Sequence, residues 1–75
     1  MRVLIIEDEK NLARILKKGL EENNFIADVS YDGEEGLYMA ETYNFDAVLL
    51  DIMLPKLDGF SVLKALREKN ITVPV

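Results

Sequence analysis

The sequence predicts an α/β fold, in which a parallel sheet carries helices on both faces. Short apolar segments recur without strict polar alternation, as in strands that are covered on both sides. These strand-like segments are separated by segments whose apolar residues have helical spacing. Consecutive strands are therefore expected to be joined by right-handed helical crossovers. The predicted order is strand-helix repeated three times, followed by the start of a fourth strand. One domain over residues 1–75 accounts for the chain.

Residue type and apolar spacing predict the first strand and the first helix. The strand is predicted over Val3 to Glu7, a short run rich in β-branched residues. The helix is predicted over Lys10 to Glu22, and Asn23-Asn24 ends it because Asn tolerates the left-handed conformation that follows a helix. Apolar residues at helical spacing form one face of this amphipathic helix: Leu12, Ile15, Leu16, Gly19 and Leu20.

The second strand and helix are less apolar. Phe25 to Ser30 alternates in part, which predicts a strand at an edge of the sheet with one less protected face. Asp32 and Glu35 have the spacing of a capping box and begin a helix that fades near Asn44. The apolar stripe of that helix contains Leu37, Met39, Ala40 and Tyr43.

The third strand is predicted over Ala47 to Leu54, and its continuous apolar character indicates a central position in the sheet. Asp58 is suited to cap a third helix over Phe60 to Lys69. The buried stripe of that helix is expected to include Phe60, Val62, Leu63 and Leu66. Ile71 to Val75 reads as the start of a fourth strand.

Composition excludes several classes of protein. The chain has no Cys and no His, so it can form neither a disulfide framework nor a usual zinc site, and any metal must be bound by oxygen. Its nine basic residues are dispersed among fourteen acids, with a net charge of −5, which argues against direct binding of nucleic acid. No apolar run approaches membrane-spanning length and acids follow the N-terminus closely, so we expect a cytoplasmic protein without membrane contact.

One carboxylate, Asp51, lies inside the apolar run that begins the stretch LLDIMLPKLDG, ahead of the loop that contains Pro55 and Asp58-Gly59. Burying such a charge costs several kcal/mol unless it is paired, bound to a metal or placed at an open end. Asp51 is expected at the carboxyl end of the third strand, and Glu7 and Asp8 at the same end of the first. Ligands of open parallel sheets bind at this edge. Three converging carboxylates require a cation, for which Mg²⁺ is the natural candidate, and Asp51 is placed to attack phosphorus as a nucleophile.

Other interpretations of these residues stay open. Glu7, Asp8 and Glu9 also fit an acidic cluster at a helix N-terminus, which stabilises a helix by a few tenths of a kcal/mol per charge. The side chains of Met53 and Leu54 fit packing at the rim of the core. Asp58-Gly59 has the composition of a turn and cap, without a part in chemistry.

The motifs IIEDE and LLDIMLPKLDG, with the strand-helix alternation between them, resemble the receiver domain of two-component response regulators. The resemblance covers the whole chain and is strongest to regulators whose receiver precedes a winged-helix DNA-binding domain. It implies a flavodoxin-like fold and transfer of a phosphoryl group from a sensor histidine kinase to Asp51. By position, it implies that Asp8 binds Mg²⁺ directly, Glu7 through water and Met53 through its backbone carbonyl. A receiver of this kind acts on its own aspartate and is not an enzyme on other substrates.

The chain departs from the family pattern at its end. The pattern continues beyond the residues TVPV with a Ser or Thr, a fifth strand that ends in Lys, and a last helix. We therefore expect a receiver truncated after the start of the fourth strand, with impaired phosphotransfer. Neither Lys10 nor Lys56 can be assigned to the missing Lys from the sequence.

Two other functions compete with a phosphoacceptor. A hydrolase or nucleotide-binding enzyme of similar topology is disfavoured, because no Gly-rich phosphate loop follows the first strand and no D-x-D nucleophile motif occurs there. A non-catalytic fragment that associates with itself is the stronger alternative. Exposed sheet edges recruit other chains, so this alternative predicts a homo-oligomer, most simply a two-fold dimer that joins sheet edges or exchanges elements.

Overall fold

Three parallel strands form the sheet of the protein, which a computed structural model describes from Met1 to Val75. They are β1 (Arg2–Ile6), β2 (Ile26–Ser30) and β3 (Ala47–Leu50), arranged in the order β2-β1-β3. Both pairings are parallel, as the apolar runs and helical crossovers predict. The edge position predicted for β2 is confirmed.

Three helices alternate with the strands: α1 (Lys10–Glu22), α2 (Gly33–Thr42) and α3 (Gly59–Glu68). The N-terminus of each helix is capped by a carboxylate that accepts backbone N–H groups. Glu9 caps α1, Asp32 caps α2 and Asp58 caps α3. The bounds of α1 agree with the prediction, and Asn24 has φ of 67° just beyond it. None of the three helices has the length and apolarity that crossing a bilayer requires.

The main core lies between the sheet and the pair α2 and α3. It is formed by six buried side chains: Leu4, Ile6, Ala40, Val48, Val62 and Leu66. Alternate strand residues face the other side, where α1 covers the sheet only in part. Leu49 in β3 is 41% exposed and Ile15 in α1 is 62% exposed, so this second face retains accessible apolar surface.

The third strand is shorter than predicted and lies elsewhere in the sheet. It ends at Leu50 rather than Leu54, because the residues after Asp51 turn away into a loop that leaves Met53 83% exposed. An apolar run alone does not distinguish a buried strand from such a loop. The middle strand of these 75 residues is β1, which pairs with both neighbours, and not β3.

Two further expectations for the C-terminal third were wrong. Phe60 is 67% exposed, because the face of α3 that packs on the core is centred on Val62 and Leu66. No fourth strand is formed after α3. A single backbone bond, from Val48 N to Pro74 O at 2.8 Å, joins that segment to β3, and Pro74 has no N–H to extend the ladder.

Candidate metal centre

The ends of β1 and β3 bring two acidic segments side by side. Ile6 lies opposite Leu50 in the parallel register, and the Asp51 N–H donates to the Ile6 carbonyl at 3.1 Å. The residue after β3 is therefore fixed beside the residue after β1, which is Glu7. This is the carboxyl edge of the sheet, where parallel α/β folds bind ligands.

Three carboxylates meet at this edge. One oxygen of each of Glu7, Asp8 and Asp51 can be chosen so that all lie within 4.8 Å of one another. Glu7 is buried, Asp51 is half-buried and Asp8 is exposed, so the group extends from the edge of the core to solvent. The structure thus brings together the three acids that the sequence places at strand ends.

Glu7 is the member with the most unfavourable surroundings. Its side chain is 9% exposed, and burial, with Asp51 and Asp8 nearby, raises the pKa of Glu7 above its ordinary 4.5. One favourable contact opposes this, because the Glu9 N–H donates to the Glu7 carboxylate at 3.2 Å. Without a cation, the charged form of Glu7 is destabilised in the folded protein.

Capping of α1 is the role of Glu9 and not of the whole acidic run. The Glu9 carboxylate accepts the N–H groups of Asn11 at 3.0 Å and Leu12 at 2.9 Å. Glu7 and Asp8 make no such bonds to the helix. The interpretation of all three acids as a simple helix N-terminal cluster therefore applies to Glu9 alone.

Asp51 has one oxygen held and one available. Its Oδ1 accepts the Met53 N–H at 3.2 Å, which orients the carboxylate, while the other oxygen accepts no N–H of the chain. The Met53 carbonyl accepts no backbone N–H and remains able to bind a ligand. The Met53 side chain is exposed, so packing at the rim was a wrong interpretation for it, whereas Leu54 does pack against the core.

No side-chain cation of the protein neutralises the three carboxylates. Lys10 lies over the Tyr31 ring, 5.5 Å from its centroid, and Lys56 Nζ lies 3.7 Å from Asp32. Neither lysine forms an ion pair within the carboxylate group. Carboxylate oxygens without a paired cation are the kind of ligand that Mg²⁺ prefers.

Sequence reasoning missed two residues beside the site. Ser30 is fully buried; its carbonyl accepts the Glu7 N–H at 3.0 Å, and its hydroxyl donates to the Asp32 carbonyl at 3.0 Å. Gly33 lies against the loop that follows Asp51 and donates to the Pro55 carbonyl at 3.3 Å. Neither residue has a sequence pattern that distinguishes it from ordinary turn composition.

Comparison with known proteins gives a single family. The family model for the response regulator receiver domain matches residues 3–75. The transcriptional activator protein IrlR of Burkholderia pseudomallei is 50% identical over 72 residues, which are 96% of this chain and 31% of that protein. The chain spans roughly a third or less of the curated relatives with which it aligns.

Solved structures agree with this match. The receiver domain of the Francisella response regulator 1452 superposes with a TM-score of 0.96 at 43% identity, covering 99% of this chain and 61% of that one. The response regulator TrrA of Thermotoga maritima, in complex with Mg²⁺ and BeF, gives a TM-score of 0.87 at 37% identity over 91% of this chain and 59% of that one. The fold, the match over residues 3–75 and these likenesses show that the chain belongs to the response regulator receiver domain family.

Proposed function

We propose that the chain is a phosphoacceptor unit in which Asp51 receives a phosphoryl group from a sensor histidine kinase. The observation that carries this proposal is the grouping of Glu7, Asp8 and Asp51 at the carboxyl edge of the sheet, with no side-chain cation beside them. Membership of the receiver domain family supports both the phosphoryl donor and a role in two-component signalling. We expect the protein to act in the cytoplasm.

Asp51 has the properties that a nucleophile needs. It is half-buried at the open end of β3, so a donor can reach it, and one of its oxygens accepts no N–H of the chain. That oxygen would form the new O–P bond as the P–N bond of the donor phosphohistidine breaks. The donor imidazole leaves with the electron pair and takes a proton from solvent. The Met53 N–H holds the other oxygen and keeps the carboxylate oriented.

The ligand set proposed for Mg²⁺ consists of Asp8, Asp51, the Met53 carbonyl and, through water, Glu7. Such an ion supplies positive charge that offsets the negative charge of the transferring group. Glu7 is more deeply buried than the other two acids, and its charged carboxylate can accept a hydrogen bond from a water bound to the ion. Asp8 is exposed and can adjust to the ion without disturbing the core.

Intact mass tests the proposal. The purified chain is incubated with a small acyl-phosphate donor, with and without Mg²⁺, beside an Asp51→Asn variant. We expect one added phosphoryl mass in the unmodified chain with Mg²⁺ and none in the variant. Equal phosphorylation of the variant, or none in the unmodified chain at saturating donor, would overturn the assignment.

Self-association is the second candidate function, and exposed apolar surface beside β3 favours it. Leu49, Ile52 and Phe60 line a groove between this strand and α3, and all three are exposed. A second copy that covers this groove would bury apolar area worth about 25 cal/mol per Å². The candidate is a dimer that joins the two molecules at this edge.

Sedimentation velocity distinguishes the dimer from a monomer. We expect a concentration-dependent shift to a dimer at micromolar protein, which Phe60→Ser weakens. Tyr38→Ser is the matched control, because Tyr38 is a similarly exposed aromatic residue on α2 outside the groove. A monomer at all concentrations, or equal effects of both variants, would exclude this interface.

A further inference from the structure

The first residue of α2, Gly33, is in unusually close contact with the loop between β3 and α3. A Cβ at Gly33 would overlap the Leu57 carbonyl oxygen and would lie 2.6 Å from the Leu57 carbonyl carbon. Because these are backbone atoms, no rotamer change relieves the overlap. A side chain at position 33 would therefore displace the loop itself.

Two polar contacts join the same surfaces. The Gly33 N–H donates to the Pro55 carbonyl at 3.3 Å, and this carbonyl also accepts the Leu57 N–H at 2.8 Å. Beside them, Lys56 Nζ lies 3.7 Å from the Asp32 carboxylate, with Lys56 in the left-handed region at φ of 68°. The tip of the loop is thus held from the α2 side by both its backbone and a side chain.

The ends of the loop are held differently. At its start, the Asp51 N–H donates to the Ile6 carbonyl at 3.1 Å. At its end, the Gly59 N–H donates to the Ile52 carbonyl at 2.8 Å. Met53 lies between these anchors and the tip, is exposed, and makes only the bond to Asp51. The position of its carbonyl therefore depends on the tip at Pro55.

The turn from Ser30 to Gly33 contacts both acidic segments. Its first residue accepts the Glu7 N–H through the Ser30 carbonyl at 3.0 Å. Its last residue contacts Pro55 and Leu57. The Ser30 hydroxyl closes the turn by donating to the Asp32 carbonyl at 3.0 Å. The Ser30–Gly33 turn contains no proposed metal ligand, but it connects the segment after β1 with the segment after β3, which contain all of them.

We propose that the Ser30–Gly33 turn is a positioning element, and Gly33 a positioning residue, that sets Mg²⁺ affinity by fixing the Met53 carbonyl relative to Glu7. This inference rests on the proposed function. Residues that orient metal ligands typically change metal affinity by about 10- to 100-fold when altered. Gly is required at position 33 because the loop backbone occupies the space of a Cβ.

Gly33→Ala is the direct test, and Gly19→Ala is its matched control because a Cβ at Gly19 meets no atom within 4 Å. We expect Gly33→Ala to stay folded and to bind Mg²⁺ about tenfold more weakly, whereas Gly19→Ala binds normally. In the metal-free proteins, the amide resonances of Met53 and Leu57 should shift in Gly33→Ala only. A folded Gly33→Ala variant with unchanged affinity and resonances would overturn the proposal.

The unmodified chain provides a second measurement that does not depend on the folding of a variant. Because coupling between two sites is reciprocal, saturating Mg²⁺ should slow hydrogen exchange of the Gly33 and Leu57 amides more than that of the Gly19 amide, which reports only the general stabilisation of the fold. Equal exchange of the Gly33 amide with and without Mg²⁺ would contradict the inference. If the unmodified chain bound no Mg²⁺, the proposed function itself would fail, which separates the two outcomes.

Discussion

Glu7 is the buried carboxylate of the proposed metal site, and its ionisation opposes folding when no cation is bound. Because its pKa is raised above 4.5 by burial, the folded state binds protons more strongly than the unfolded state. The contribution of Glu7 to the free energy of unfolding therefore falls as pH rises from 4.5 through the folded pKa. Mg²⁺ would offset this loss.

Glu7→Gln removes the ionisation but keeps a similar shape. We expect the metal-free variant to be about 1 kcal/mol more stable than the unmodified chain near neutral pH, because an unpaired buried charge is gone. The difference should narrow below pH 4.5, where the carboxyl of the unfolded chain is also protonated. Urea unfolding at several pH values measures it, and a variant that is less stable at neutral pH would contradict this account.

Asp8 has an exposed carboxylate whose role is expected to be metal binding rather than folding. We expect Asp8→Asn to weaken Mg²⁺ binding about tenfold or more and to leave stability within about 0.5 kcal/mol. Glu22→Gln controls for the loss of one negative charge, since Glu22 is exposed at the end of α1. Isothermal titration provides the affinities, and equal affinities of the two variants would remove Asp8 from the ligand set.

At the scale of elements, the cap of α3 gives a second pH effect of opposite sign. The Ser61 backbone N–H and hydroxyl donate to the Asp58 carboxylate at 3.0 and 2.9 Å and hold the pKa of Asp58 below its ordinary 3.8. Because the pKa of Asp58 is lower in the folded protein, its charged form stabilises the fold at any pH above the pKa that Asp58 has in the unfolded chain. This contribution is lost as pH falls through the pKa of the folded state.

Asp58→Asn should retain the cap, because Asn is also a preferred N-cap residue, but lose its dependence on pH. We expect the unmodified chain to lose more stability than the variant as pH falls below 3.8. Urea midpoints of both proteins between neutral and acid pH test this expectation. Parallel acid profiles would show that the charge of Asp58 contributes nothing to the end of α3.

Elements with local signals were predicted well from the sequence. The bounds of α1 follow from its apolar period and from Asn24, and the caps of α2 and α3 follow from Asp32 and Asp58. The end of β3 was not predictable, because an exposed apolar loop has the same composition as a buried strand. Phe60 shows the same limit, since its exposure depends on how α3 rotates against the sheet.

The candidate site was predictable where it depends on strand ends and not where it depends on contacts between loops. Glu7 and Asp51 follow parallel strands, and adjacent parallel strands bring such residues to one edge. The place of β1 in the middle of the sheet, and the contact between Gly33 and Leu57, arise from tertiary packing. No periodicity or spacing in the chain encodes them.

At the scale of the whole molecule, metal binding and folding should be linked. A ligand that binds only the folded state stabilises it by about 2.7 kcal/mol at a hundred times its dissociation constant. For a domain of this size, that corresponds to a rise of about 10 °C or more in Tm. We expect this rise with Mg²⁺ and its loss in Asp51→Asn, with NaCl at equal ionic strength as the control for screening.

Thermal unfolding followed by circular dichroism measures this linkage. An equal rise of Tm in Asp51→Asn with Mg²⁺ would remove Asp51 from the ligand set. An equal rise in NaCl would mean that general screening of the net charge of −5 accounts for the effect. Mg²⁺ would then have no specific site at the edge of the sheet.

Chemical mapping of the phosphoryl group identifies the residue of the chain that accepts it. Borohydride reduces an aspartyl phosphate to homoserine, so treatment of the phosphorylated chain marks the acceptor residue, which peptide mass spectrometry then locates. We expect homoserine in place of Asp51, with Glu7, Asp8 and Asp58 unmodified. A reduced residue at any other position, with Asp51 intact, would contradict this expectation.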